Sequence, residues 1–185
     1  MAQTASSAEQ PKSLESVLDS MTPSELKVLS LIASGASNGA IAKRMTISGR
    51  SVGNYVNSIY SQLQISDDQY LDQRARAAFL YWEVRPQEKK QLQDRLFENQ
   101  KIEPLTSREY EVLFFIAQGY SNDYIARRLS IKSIYNPIRY IYGKLNVESY
   151  EGTDPRAMAM LMFDRVPVPS GYNSRKTSVV PLVRK

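Results

Sequence analysis

The sequence predicts an all-α chain made of two tandem four-helix units joined by a helical linker. Three observations carry this. The chain repeats itself, each copy opens with the same helix-start signal, and apolar residues recur at helical rather than strand spacing in both copies. Met21 to Asn38 aligns without a gap on Leu105 to Asn122, 84 positions apart. Thr22/Thr106, Glu25/Glu109, Val28/Val112, Leu29/Leu113, Ile32/Ile116, Gly35/Gly119 and Asn38/Asn122 are identical pairs. Past Ile47/Ile131 the second copy is two residues shorter. At an offset of 82, Ser51/Ser133, Asn54/Asn136, Ile59/Ile141, Leu63/Leu145, Asp72/Asp154 and Arg74/Arg156 pair.

The first helix of each copy follows a capping box, Thr22 with Glu25 and Thr106 with Glu109. The Thr oxygen accepts the N3 amide while the Glu returns to the N-cap amide. Pro23 stands at the first helical position, where its missing N–H costs nothing. Gly35 and Gly119 supply the left-handed residue at which such helices stop. A short second helix follows, capped by Ser37 or Ser121, with Ile41-Ala42 or Ile125-Ala126 on its inner face. In copy one a tight turn, Thr46 to Gly49 with Ser48 as cap, leads to a third helix over about Arg50 to Gln64. Its buried stripe is Val52, Val56, Ile59 and Leu63, and Arg50, Asn54, Asn57, Ser58 and Ser61 point the other way. A fourth helix is expected over about Gln69 to Trp82, with Ala75, Ala78, Phe79 and Trp82 apolar. Ala157, Met160, Leu161 and Phe163 are their counterparts in copy two.

These boundaries divide the chain into a disordered N-terminus at 1–15, a first unit at 16–83, a linker at 84–104, a second unit at 105–165 and a basic flexible tail at 166–185. The stretch from Glu83 to Pro104 carries five basic and five acidic residues, so it reads as a solvated helical spacer starting at Pro86, with Leu92, Leu96 and Phe97 apolar. The tail contributes Arg175, Lys176, Arg184 and Lys185 and no acid.

Composition narrows the function. There is no Cys and no His, which removes thiolate chemistry, the commonest general base and the commonest metal ligand. With no Gly-rich phosphate loop and no paired-carboxylate motif, the chain is not expected to be an enzyme, and no cofactor is expected. No apolar stretch reaches membrane-spanning length and the first ten residues lack the apolar core of a secretory leader, so a cytoplasmic, bacterial or phage-type nucleoid-associated protein is expected.

The placement of charge says more than the net +5. From Leu26 to Ser66 the charged residues are Lys27, Lys43, Arg44 and Arg50. From Tyr124 to Val147 they are Arg127, Arg128, Lys132, Arg139 and Lys144. Neither stretch holds an acid. Solvated surfaces usually mix signs. Two helices joined by a tight turn, the second with a polar, acid-free face, form the arrangement that enters a major groove. Arg, Asn and Ser suit base edges and phosphates. The expected partner is therefore double-stranded DNA. The expected contacts in copy one are Ser37, Asn38, Lys43, Arg44, Ser48, Arg50, Ser51, Asn54, Tyr55, Asn57 and Ser58. In copy two they are Ser121, Asn122, Lys132, Ser133, Tyr135, Asn136, Arg139, Tyr140 and Lys144.

At these residues the sequence resembles the LuxR-type, or GerE-like, helix-turn-helix family. Copy two shows Leu105-Thr-Ser-Arg-Glu109, Ile116-Ala-Gln-Gly-Tyr-Ser-Asn-Asp-Tyr-Ile-Ala126 and Ile141-Tyr-Gly-Lys-Leu-Asn-Val147. Copy one shows Ile32-Ala-Ser-Gly-Ala-Ser-Asn-Gly-Ala-Ile-Ala42, Ile47-Ser48 and Ser51-Val-Gly-Asn-Tyr55. The resemblance implies a transcriptional regulator whose units dimerise, often through the fourth helix. Such proteins usually carry one unit, and here there are two. They could pair within the chain as a monomeric pseudo-dimer, or each with another molecule as a homodimer. The departures concern the third helix. Gly53 replaces the family's Lys at about 1 kcal/mol of helix stability against Ala, and Tyr55 replaces its His. In copy two Pro137 takes the place of that His. A proline deep in a helix costs about 3 kcal/mol, so that helix is expected to start near Asn136, with Asn136 as N-cap and Pro137 at N1. Copy two is thus either a gripper of the DNA backbone or a surface for a protein such as RNA polymerase or another regulator.

Overall fold

The computed structural model describes residues 13–147 and 152–177. Among them there are ten α-helices and no strand. Copy one comprises α2 (Pro23–Ala33), α3 (Asn38–Met45), α4 (Gly49–Gln62) and α5 (Gln73–Val84). Copy two comprises α7 (Ser107–Ala117), α8 (Asn122–Arg128), α9 (Tyr135–Lys144) and α10 (Pro155–Met162). A short α1 (Leu14–Asp19) precedes them and α6 (Pro86–Phe97) joins them. Both capping boxes form, Thr22 with Glu25 and Thr106 with Glu109. Gly35 and Gly119 close α2 and α7 at φ +86° and +83°. The predicted stripe of α4, Val52, Val56, Ile59 and Leu63, is buried, and one continuous apolar core runs through both units.

The two units pair within the chain, and they pair reciprocally. The peptide before α10 crosses the end of α2: Asp154 N–H donates to Gly35 O (2.6 Å) and Ser37 N–H to Gly152 O (2.9 Å). The peptide before α5 makes the matching crossing at the end of α7: Asp72 N–H donates to Gly119 O (3.0 Å) and Ser121 N–H to Tyr70 O (2.8 Å). Neither glycine could carry a side chain here without displacing a neighbour. A Cβ on Gly35 would lie 2.7 Å from Met158 Sδ, and one on Gly119 would lie 3.1 Å from the Arg76 backbone.

Two arginines complete the exchange. Arg74 donates to the Asn38 side chain (2.9 Å) and to the Ala36 carbonyl within its own unit, and its Nε lies 3.4 Å from Asp154 of the other. Arg156 donates to Asn122 (2.8 Å) and to the Tyr120 carbonyl, with Nε 3.3 Å from Asp72. The Arg156 Nε is buried, and its contact with Asp72 is an ion pair rather than an aligned hydrogen bond. Each aspartate also caps its own helix, Asp72 accepting from Ala75 N–H and Asp154 from Ala157 N–H. Contacts in which each partner's residue meets the other's counterpart define a twofold relation. The two units are therefore related by a pseudo-twofold, with α5 packed on α10 and each of these also touching the other unit's first helix.

Four expectations are corrected. Residues 13–15, expected to be disordered, are structured: Ser13 caps α1, and Leu18 buries itself as α1 packs on α5. The remainder of that expected segment, 1–12, lies outside the described residues. The fourth helix starts at Gln73 rather than near Gln69, because the residues just before it are spent on the crossing at Gly119 and Asp72 is its cap. The linker is not a solvated spacer. Phe97 is fully buried, Gln93 donates to the Leu161 carbonyl (2.6 Å), and Lys89 and Arg165 pair with Asp164 and Asp94 across α6 and the end of α10. Nor is the tail free over 166–177. Val166 and Thr177 are buried, and Tyr172 stands edge-on to Tyr110 of α7 at 4.7 Å between ring centroids. Its basic end, including Arg184 and Lys185, lies outside the described residues.

The reciprocal ion pairs predict a charge-exchange result. Asp154→Arg should lower stability in urea, because it sets two cations together and removes the cap of α10. The double variant Asp154→Arg with Arg74→Asp should lose about 1–2 kcal/mol less than the two single losses added together, the size of coupling typical of groups in contact. Additive losses would show that the pair does not couple the units.

Candidate nucleic-acid interface

The second and third helices of each unit hold the expected contact residues, and the two units hold their third helices differently. In copy one α4 packs on α2, α3 and α5. Thr46 takes a left-handed conformation (φ 55°) to end α3, and Ser48 starts α4 by accepting from Ser51 N–H (3.0 Å). A buried carboxylate then locks α4 to α2. Glu25, 8% exposed, accepts from Ser58 Oγ (2.5 Å) and Gln62 Nε2 (2.8 Å), both on α4, and from the Thr22 amide (2.9 Å) and hydroxyl (2.7 Å). The Ser58 hydroxyl, helped by Thr22, stabilises the anion and holds the Glu25 carboxyl well below the usual range, at about 2.

Copy two does the same job with an ion pair. Lys144 of α9, the counterpart of Gln62, donates to Glu109 at 2.7 Å. Burial works against ionising Glu109, yet the Lys144 contact and the Thr106 amide outweigh it and lower its pKa.

The shortened turn alters copy two further. Ser130 repeats the left-handed residue (φ 53°), but the N-cap of α9, Ile134, has no side-chain acceptor, and only a long bond from Tyr135 N–H to Ser133 Oγ (3.4 Å) stands where Ser48 caps α4. The helix begins at Tyr135, whose counterpart is Gly53, so the first turn present in α4 is missing. The expected shortened helix starting near Asn136 is found, one residue earlier, but its expected cap is corrected. Ile134 is the N-cap, Asn136 stands at the second helical position and Pro137 at the third. That place is still harmless, because the first amides of a helix have no intrahelical acceptor. With fewer turns, α9 leans on α7 and makes little contact with α8.

The expected contact residues fall into three groups. Lys43, Arg44, Arg50, Asn54 and Asn57 in copy one, and Lys132, Ser133, Tyr135, Asn136, Arg139 and Tyr140 in copy two, are exposed. Tyr135 and Tyr140 are 75% and 66% exposed. None of the cations in this group forms an ion pair with a described residue, so their charge is directed at solvent. Ser37, Ser48 and Ser121 act as helix caps, Ser51 bonds Ser48 (2.9 Å), and the Asn38 and Asn122 oxygens are taken by Arg74 and Arg156. Tyr55 is half-buried against the core. Ser58 and Lys144, expected to face outward, turn inward to Glu25 and Glu109 and are corrected accordingly. Three further exposed cations lie in the acid-free stretches outside the expected set: Lys27, and Arg127 and Arg128 at the end of α8. Among the described residues no cluster of acids could hold a metal ion, and no helix is long and apolar enough to cross a membrane.

Two units with this order of helices, cap positions and acid-free third helix match one known family. The profile described as bacterial regulatory proteins, luxR family, matches residues 19–75 and 103–152. This chain belongs to the luxR family of bacterial regulatory proteins. The two matched segments coincide with the two copies, so the family's helix-turn-helix occurs twice. No curated protein and no solved structure matches the chain.

The Glu25 network gives a pH prediction. Its folded-state pKa lies below the unfolded value of about 4.5, so the folded state favours the ionised form. The stability this contributes is complete above the unfolded value and is lost as pH falls from there toward 2. Glu25→Gln should cost about 2 kcal/mol at pH 7, the scale of a charged, buried hydrogen-bond set. At pH 3 the gap between the variant and the wild type should narrow. A pH-independent gap in urea midpoints would rule out this account.

Proposed function

We propose that the chain is a sequence-selective, double-stranded DNA-binding regulator of transcription, and that both of its third helices engage one duplex while the units remain paired within one molecule. The observation that carries this reading is the division of the surface. The fourth helices are consumed by pairing, whereas α4 and α9 present exposed, acid-free polar faces. Arg50, Asn54 and Asn57 have the donors and acceptors that match guanine and adenine edges in the major groove. Lys43, Arg44, Lys132 and Arg139 are exposed cations suited to phosphates. This reading carries with it a location at the genome, in the bacterial cytoplasm.

The exposed Tyr135 and Tyr140 on an uncapped, shortened α9 support a second reading for that half, docking on RNA polymerase or another regulator. Capture of polymerase by the intact protein without DNA, lost in Tyr135→Ala with Tyr140→Ala, would favour it.

Salt and sequence separate the roles. Affinity for duplex DNA should fall steeply with salt. Arg44→Ala should weaken all duplexes alike and reduce the slope of log K against log salt by about 1. Asn54→Ala should cost about 1–3 kcal/mol on a selected duplex and much less on unrelated ones. Equal affinity of the wild-type protein for every duplex would refute the selective reading.

A further inference from the structure

We infer that the duplex selected by this chain is built of two unlike half-sites in inverted orientation, read by a single molecule, with Tyr135 and Arg139 setting the half that differs. This rests on the DNA-binding reading above and adds the form of the site.

Orientation follows from the fold. The crossings at Gly35 and Gly119, the isolated backbone bridges Ala36–Thr153 and Leu71–Tyr120, and the pairs Arg74–Asp154 and Arg156–Asp72 are exchanged one for one between the copies. A twofold that relates the pairing helices also relates α4 to α9. Helices related in this way read a shared duplex in opposite directions, so the two half-sites are inverted.

Unlikeness follows from the exposed side chains. The copies agree at Ser51/Ser133 and Asn54/Asn136, which gives both halves one amide suited to adenine. They differ beside it. Gly53 leaves open space, with no heavy atom within 4 Å of where a Cβ would stand, whereas its counterpart Tyr135 projects a ring that is three-quarters exposed. Asn57 offers an amide, and its counterpart Arg139 offers a guanidinium that pairs with guanine. Arg50 and Ser51 ride on the first turn of α4, but Lys132 and Ser133 lie ahead of the first turn of α9. The N-terminal turn is the part of such a helix that meets bases, so the copies differ where readout is decided.

Selection of duplexes from a random library by the intact protein tests this, with two exchange variants in the same chain. Wild type should enrich two unlike half-sites, inverted, with centres about one helical turn apart. Replacing either half by the inverse of the other should weaken binding at least about tenfold. Tyr135→Gly with Arg139→Asn should shift the α9 half toward the α4 half. Gly53→Tyr with Asn57→Arg should shift the other half the opposite way, and it introduces its ring where there is room. Enrichment of a palindrome, or of half-sites in the same orientation, would overturn the inference. So would a single half-site that only the α4 variant alters, which would assign α9 to a protein partner. Any of these leaves DNA binding standing, whereas enrichment of no duplex at all would remove the DNA reading together with this one.

Discussion

The geometry of this protein depends on two guanidinium groups, each of which holds three things at once. Arg74 binds the side chain of Asn38, the carbonyl of Ala36 and the carboxylate of Asp154. Asn38 is the first residue of α3, and Ala36 lies in the turn before it. The same fork therefore fixes the start of the helix-turn-helix and the contact between the units. Arg156 repeats this with Asn122, Tyr120 and Asp72. A planar group with five donors can serve three acceptors in a fixed arrangement, and a lysine cannot. The angle at which one unit meets the other is thereby transmitted to α3 and α8, and through α3 to α4.

On that common frame the copies have diverged in how firmly the third helix is held. In copy one α4 has a full first turn, a serine cap and a buried carboxylate that accepts from two of its side chains. In copy two the cap and the first turn are absent, and one lysine replaces the serine–glutamine pair. An ion pair of partly exposed groups is weakened by salt more than a set of neutral donors around a buried anion. The attachment of α9 is therefore the more responsive to ionic strength, on the same helix where Tyr135 and Tyr140 stand exposed.

Much of this was legible in the sequence because its causes are local. A capping box needs two residues three apart, a helix stop needs one glycine, and a buried stripe needs a period of 3.6. The duplication then gave the unit count. What was not legible depends on partners far along the chain. Asp72 and Arg74 were visible as repeated residues, but nothing near them in sequence announces Arg156 and Asp154. The linker's balanced charges read as a solvated face, whereas two of them, Lys89 and Asp94, pair with Asp164 and Arg165 on one side while Phe97 is buried on the other. Ser58 and Lys144 occupy polar helix positions and were read as outward, yet each lies within reach of a capping-box glutamate. That box was read only as a helix start, although its carboxylate also has oxygen lone pairs to offer the third helix. Pro137 was correctly placed in a first turn, but one whose position the shortened connection had moved.

Joining two copies in one chain changes what symmetry demands. In a dimer of identical chains every substitution occurs twice, so the two reading surfaces are always alike. Here a substitution occurs once. Residues that meet across the pseudo-twofold are still constrained, because Arg74 needs an acid from the other copy and Arg156 needs one in return. The same holds at the glycines, where each unit's backbone lies against the other's. The outward faces of α4 and α9 make no such demand on each other. A change from glycine to tyrosine at one of them leaves the pairing untouched. Part of the pattern in this chain follows that division: the pairing positions Gly35/Gly119, Asp72/Asp154 and Arg74/Arg156 are identical in the two copies, while Arg50/Lys132, Gly53/Tyr135 and Asn57/Arg139 on the exposed faces differ. Covalent linkage releases the seam as well wherever only backbone meets, so Ala36/Tyr120 and Leu71/Thr153 also differ, while the glycines and the charge pairs that each copy requires of the other are kept.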